Sequence, residues 1–295
     1  MPRVLLVSDM HYTTDMTHDQ MKTVHPGANA SAASGDAFGH TQREKIDKVL
    51  EAVLDEHAQS PLDAVLVLGD LSIDDYDWRQ LPDNYCRRFR DEVMAKFPCP
   101  GYAIAGNHDS YPDAEWRKIF PEGRQFTVRV GSALFVMLDN FAATPASGAS
   151  GSAYTPTDTD WLRGAMEGHD GEVYLCAHHF APERESEEFC RLVSEDKRIR
   201  ALFRGHTHHN EVLYPGQFGG KPLVDIGGYG YEGRVVDGKY TFAHFDFKWA
   251  WGYQLIEWDG CSAKLRHIKP AMHYVGSNGV FDVERTVEDS FEIDF

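Results

Sequence analysis

Cysteine is scarce and badly placed for cross-linking. The 295 residues hold five (Cys86, Cys99, Cys176, Cys190, Cys261), an odd number with no CxxC pair. That excludes a disulfide framework and a thiolate-rich structural zinc site, and it predicts reduced thiols in a reducing compartment. Positive charge is also short: 29 Lys and Arg against 46 Asp and Glu leave a net charge of −17. A field of that sign repels nucleic-acid backbones and anionic membranes, which argues against a nucleic-acid polymer or a membrane surface as partner. Long apolar runs are missing. No stretch approaches the ~18 residues of a membrane-spanning helix, and the apolar run at residues 4–7 is too short for the core of a secretory signal. A soluble, cytoplasmic protein is the expectation. Repeats are absent too. With 42% hydrophobic and 25% charged residues, the composition is that of a globular chain, neither disordered nor fibrous.

What the chain does have is a succession of short apolar strands. Residues 3–8, 63–68 and 101–105 read as buried strands. A helix opening on the capping box Thr41-Gln42-Arg43-Glu44 separates the first two, and a second helix at 84–97 precedes the third. This alternation predicts right-handed crossovers and a largely parallel sheet. Residues 126–130 and 133–138 read as a hairpin. A helix near 158–167, a strand at 173–177, a helix at 185–195 and a strand at 201–204 follow. Short strands at 222–226, 240–247, 253–258 and 263–268 predict a second, mainly antiparallel sheet. Residues 13–40 form a long aperiodic excursion. From Gly276 the chain is acidic, expected to be loose unless it docks through Phe281, Phe291 or Phe295. The organisation is one α/β domain over 1–275, with an insertion at about 13–40 and an acidic tail at 276–295.

Five of the strands share one ending. They run into Asp9-Met10-His11, Gly69-Asp70, Gly106-Asn107-His108-Asp109, Ala177-His178-His179 and Gly205-His206-Thr207-His208. The carboxyl ends of strands in an open α/β sheet line one crevice, so these endings converge. Singly, each has a plainer reading: Asp70 as a helix cap, Asn107 as a turn former. The HxH spacing is stronger, because residues i and i+2 leave an extended chain on the same side. Jointly they offer imidazole, carboxylate and amide oxygen without thiolate, a donor set suited to Mn, Fe, Zn, Co or Ni. The donors are too many for one ion and enough for two that share a carboxylate. Two divalent ions against Asp9 and Asp70 leave a cationic centre inside an acidic chain, able to attract a phosphate and to lower the pKa of a bridging water.

DMH, GD, GNHD, AHH and GHTH, in this order over about residues 3–210, resemble the signature blocks of the calcineurin-like metallophosphoesterase superfamily. The resemblance implies a four-layer α-β-β-α sandwich of two packed mixed sheets around a dinuclear metal centre. It implies that one ion takes Asp9, His11 and His208, the other Asn107, His178 and His206, with Asp70 bridging them and Mn favoured. His108 would bind no metal; it would hydrogen-bond the phosphate or protonate the leaving oxygen, with Asp109 orienting its imidazole. The fourth block offers His179 beside His178, and the ligand in similar proteins lies directly after the strand, which selects His178. Many relatives carry Asp or Asn three residues after the bridging Asp, where this chain has Ile73.

The implied reaction is hydrolysis of a phosphoric ester by a metal-bridging hydroxide attacking phosphorus in line. The spelling GNHD with GHTH is similar to the bacterial cyclic-nucleotide and glycerophosphodiester branch. A small-molecule or nucleotide phosphodiester is therefore the expected substrate, with a phosphomonoester as the alternative. A non-catalytic metal-binding scaffold for protein interaction is a third reading, disfavoured because His108 and every ligand position are present. His18, His25 and His40 read as solvent residues or, more sharply, as part of a flap over the metals. His209, His244, His267 and His273 lack a partner pattern. Trp249, Trp251 and Tyr253 read as sheet packing, and Tyr229 and Tyr231 as candidates for reaching the site.

Overall fold

The computed structural model describes residues 2–12, 42–72, 84–141, 152–228, 234–236, 239–241, 252–258, 262–269, 272–276, 279–283 and 287–294. Strand β1 (Arg3–Val7) shows why the fold has four layers. It is aliphatic at every position after Arg3 and buried on both faces. Leu5 and Val7 share a core with Val49 and Val53 of a helix, whereas Val4 and Leu6 share another with Phe135, Tyr174 and Phe203 of a second sheet. A strand covered on both sides has no polar face to alternate, which is why its sequence reads as a continuous apolar run.

The chain continues through α1 (Gln42–Gln59), β2 (Ala64–Leu68), α2 (Tyr85–Glu92), β3 (Gly101–Ile104), α3 (Asp113–Ile119), β4 (Phe126–Val130), β5 (Ala133–Leu138), α4 (Thr159–Ala165), β6 (Val173–Ala177), α5 (Glu187–Glu195), β7 (Ile199–Arg204), β8 (Asn210–Leu213) and β9 (Leu223–Ile226). The later strands are β10 (Arg234–Val236), β11 (Lys239–Thr241), β12 (Tyr253–Trp258), β13 (Ser262–Lys269), β14 (Met272–Gly276), β15 (Gly279–Val283) and β16 (Val287–Asp294). One sheet has the order β16-β13-β12-β1-β2-β3 and the other β4-β5-β6-β7-β9-β8; β10-β11 and β14-β15 are separate two-stranded ladders. The outer face of the second sheet is closed by Leu162 of α4 and by Phe189 and Val193 of α5. Helices, sheet, sheet and helices thus stack as the expected α-β-β-α sandwich. Polar caps set the helix starts: Asn84, Asp158 and Ser186 accept from the backbone N–H three residues on.

One expectation needs correction. The late strands do not form a sheet of their own: β12 pairs antiparallel with β1 and carries β13 into the first sheet, while β9 joins the second sheet parallel to β7. An unpaired edge on β1 would leave backbone donors and acceptors unsatisfied, and β12 pairs with that edge. The segment beyond Gly276 meets the exception stated for it: β16 pairs with β13 along its length and sets Phe291 opposite Leu265. The sequence pattern also passes over α3 and β8. Residues 13–40, Ile73, Tyr229, Tyr231, His244, Trp249 and Trp251 lie outside the described residues. Among those described, no helix is long and apolar enough to cross a membrane.

Candidate metal centre

Strain gathers at the carboxyl ends of β1, β2 and β7. Five non-glycine residues have positive φ among those described: Asp9 (57°), His11 (48°), Asp70 (48°), His206 (66°) and His208 (54°). All five are candidate ligands. A left-handed backbone costs a residue with a Cβ about 1–2 kcal/mol, and such strain persists only where the surroundings over-determine it. Here the loops after β1 and β2 zip together: Asp9 N donates to Gly69 O (3.0 Å), His11 N to Asp70 O (2.9 Å) and Tyr12 N to Leu71 O (3.0 Å). Two motif glycines are fixed by crowding. A Cβ on Gly106 would overlap the Asp70 carboxylate, and one on Gly205 would overlap Ser8 Oγ and Asp9 Oδ2.

These loops assemble two sets of donor atoms. In the first, His208 Nε2 lies 3.1 Å from Asp9 Oδ1 and 3.2 Å from His11 Nε2. Asp9 Oδ1 is buried without a hydrogen-bond partner, whereas Oδ2 accepts from His206 N (2.9 Å). In the second, Asn107 Oδ1 lies 3.0 Å from His178 Nε2 and 2.8 Å from His206 Nδ1. Asp70 stands between them: its Oδ2 is 3.2 Å from His178 Nε2 and 3.8 Å from His11 Nε2. His178, not His179, has its ring nitrogen in this cluster.

Whether these residues fit metal ions is decided at His178. Its Nδ1 is 2.7 Å from Leu68 O, which can only accept, so the proton sits on Nδ1. The bare Nε2 lone pair then points at two acceptor oxygens, of Asn107 and Asp70. Lone pairs facing one another in a buried site require a cation between them. Without metal, a second proton fills that role: burial opposes charge on His178, but the Asp70 carboxylate outweighs it and pushes the imidazole up to about 9. Burial alone would likewise raise Asp9 and Asp70, yet the surrounding histidines hold both below the usual carboxylate range. Imidazole, carboxylate and amide oxygen in these two sets fit two divalent cations. Asp9, His11 and His208 would hold one; Asn107, His178 and His206 would hold the other; Asp70 would serve both.

His108 lies at the rim of this cluster. One of its ring nitrogens and the ligating atoms of His11 and Asp70 all lie within 4.8 Å of one another, and its ring meets that of His11 edge-on at 5.4 Å. Its backbone N–H donates to Asp70 Oδ1 (2.8 Å). Asp109 takes a different part from the one expected. Its carboxylate accepts from the backbone N–H groups of Leu71 (3.1 Å), Ser72 (3.0 Å) and Gly106 (2.9 Å), and from the Cys86 thiol (3.3 Å). Both oxygens are committed to tying the loop after β2 to the loop after β3, which leaves the imidazole of His108 to other partners.

Sequence pattern alone does not pick out the residues around the second set. Asn140 ends β5 with the same grammar as the five motifs, and its side-chain amide donates to His179 O. Phe141 follows, its ring 5.4 Å from that of His178 and 5.6 Å from that of His206. The His179 ring lies 4.5 Å from that of His206. Of the other histidines, His267 is buried against Gln254 (2.9 Å) and His209 is exposed. Tyr253 is core, its hydroxyl donating to Glu56 Oε1 (2.8 Å).

The family model described as calcineurin-like phosphoesterase matches residues 2–210. No curated protein sequence matches the chain. Among solved structures, a dimetal phosphatase from Danio rerio is similar at a TM-score of 0.61 and 12% identity, over 100% of this chain and 99% of that one. A 5'-nucleotidase from Candida albicans gives a TM-score of 0.44 at 10% identity, over 98% of this chain and 50% of that one. Vps29 from Entamoeba histolytica gives 0.40 at 12% identity, over 98% and 99%. Of the three, the likeness to the dimetal phosphatase supports the fold.

Proposed function

Because this chain belongs to the calcineurin-like phosphoesterase family, we propose that its strand-end cluster hydrolyses phosphodiesters of small molecules or nucleotides, with manganese as the working metal. The observation that carries the reading is one carboxylate oxygen, Asp70 Oδ2, bordering two complete donor sets, with Asp9 Oδ1 beside them facing the His11 and His208 nitrogens without a hydrogen bond. When bound there, two divalent cations supply Lewis acidity toward phosphoryl oxygens and a water of lowered pKa.

The chain's own residues do the rest. Asp70 stays ionised among its histidines, and the His108 N–H fixes its Oδ1, so Oδ2 keeps its place between the sets. The bond from His178 Nδ1 to Leu68 O holds Nε2 inward. His108, anchored through its own main chain to Asp70, presents its ring at the rim, where it hands a proton to the departing oxygen of the ester. The diester preference rests on the pairing of GNHD with GHTH. Two formal negative charges, from Asp9 and Asp70, leave the loaded centre positive, so an anionic phosphoester is drawn in despite the chain's net charge of −17.

The test is metal-stripped protein refilled with Mn²⁺ and assayed on bis-p-nitrophenyl phosphate beside p-nitrophenyl phosphate. Diester turnover above monoester turnover is expected, abolished in Asp70→Asn. His108→Ala is expected to keep both ions while turnover falls about 10²–10⁴-fold. Monoester preference would replace the diester reading with a phosphomonoesterase of the same centre. Two bound ions with no turnover of any phosphoester would favour the scaffold reading.

A further inference from the structure

Arg204 immediately precedes Gly205-His206, and its guanidinium is buried on the helix-facing side of the second sheet. Nε and Nη2 donate to the two oxygens of the buried Asp225 carboxylate, the second at 3.0 Å, and Nη1 donates to Phe180 O. Strand register aligns these groups. Ala177 of β6 lies opposite Arg204 of β7, which lies opposite Asp225 of β9. His178 follows Ala177 directly. One planar cation therefore ties β7 to β9 and to the loop that follows β6, in the row just before two ligands of the second donor set emerge.

From this placement we propose that the Arg204–Asp225 pair is a positioning device for the second donor set, holding His178 and His206 at the spacing that a cation between them needs. It rests on the two-cation reading above. The first set depends on the pair less, because Asp9 and His11 come from the loop after β1 and only His208 comes from the Arg204 loop. A simple packing role would not require Arg: a buried ion pair replaced by apolar residues of similar volume commonly leaves stability unchanged or improved. Arg is required by the fork, which serves Asp225 with one edge and Phe180 O with the remaining nitrogen, Nη1.

The double variant Arg204→Met/Asp225→Leu separates packing from positioning, because it strands neither charge. The probe is Mn²⁺, followed as ions per chain after equilibrium dialysis and by electron paramagnetic resonance, which distinguishes a coupled pair from a lone ion. A melting temperature near that of wild type is expected, with one ion bound as in wild type and the second weakened by about 10–100-fold, so that the coupled signal gives way to a lone-ion signal. Wild-type affinity at both sites would overturn the proposal, as would equal weakening of both. Should the double variant not fold, Arg204→Lys keeps the charge without the fork. Selective loss of the second ion there supports the proposal, and unchanged binding overturns it. Wild-type protein that takes up fewer than two ions would instead overturn the two-cation reading beneath it.

Discussion

Arg3 and Asp9 stand at the two ends of β1, both buried, and the protein treats them in opposite ways. Arg3 is closed on every side: Nε donates to Glu257 Oε1 (2.5 Å), Nη2 to Glu56 Oε2 (2.9 Å), and Nη1 to the carbonyls of Glu56 (3.0 Å) and Ser60. Glu56 is itself satisfied by Tyr253, and Glu257 also meets Arg266 at 3.3 Å. Asp9 has one oxygen held by a backbone N–H and one left facing two imidazole nitrogens. The two ends differ in backbone as well, since the positive-φ residues lie at the Asp9 end and none at Arg3. A buried charge whose partners are complete serves architecture. A buried charge left incomplete, on strained backbone, marks where something else must bind.

That contrast can be broken from either end. The largest expected effect is at the closed end. Arg3→Met leaves the Glu56 carboxylate buried without its cation, while Glu257 keeps Arg266, and denaturant melts should show a loss of about 3–5 kcal/mol. The folded fraction should still bind as much Mn²⁺ as wild type; reduced metal content would show that the two ends are not independent. Next in size, counted per site, is the response of the open end to its missing partner. Mn²⁺ added to metal-stripped protein at about 100 times its Kd should stabilise each occupied site by about 2.7 kcal/mol, seen as a rise in Tm that Mg²⁺ at equal concentration does not match. The smallest effect sharpens the contrast most. Asp9→Asn keeps the shape and removes a charge, so the metal-free variant should melt within about 1 kcal/mol of wild type. Its gain from Mn²⁺ should drop to roughly half, because only the second donor set remains complete. A destabilisation as large as that of Arg3→Met would place Asp9 among the architectural charges.

The open end is also the part that was legible in the sequence. Strand ends that carry Asp9, His11, Asp70, Asn107, His178, His206 and His208 stand out because an apolar run stops abruptly at side chains able to ligate, and topology alone brings such ends together. The buried strands were legible for a related reason, since strands covered on both faces lose the alternation of a half-exposed sheet; the four layers themselves came from the resemblance to the family. Non-local pairing was not. Nothing in β12 or β13 states that they close the free edge of β1 rather than build a separate sheet, because register there is set by partners that lie far off in sequence. The supporting polar residues stayed hidden as well. Arg204 looks like an ordinary strand-end charge until Asp225 and Phe180 are seen around it. Asp109 reads as a neighbour for His108 until its oxygens are found on the amides of Leu71, Ser72 and Gly106.

The most direct test is the metal content of the intact chain after stripping and reloading with Mn²⁺, wild type beside Asp70→Asn. Two ions per chain in wild type, and at most one in the variant, is the result expected if Asp70 Oδ2 serves both donor sets. Fewer than two ions in wild type, or two still bound by Asp70→Asn, would contradict the shared-carboxylate centre on which the functional reading stands.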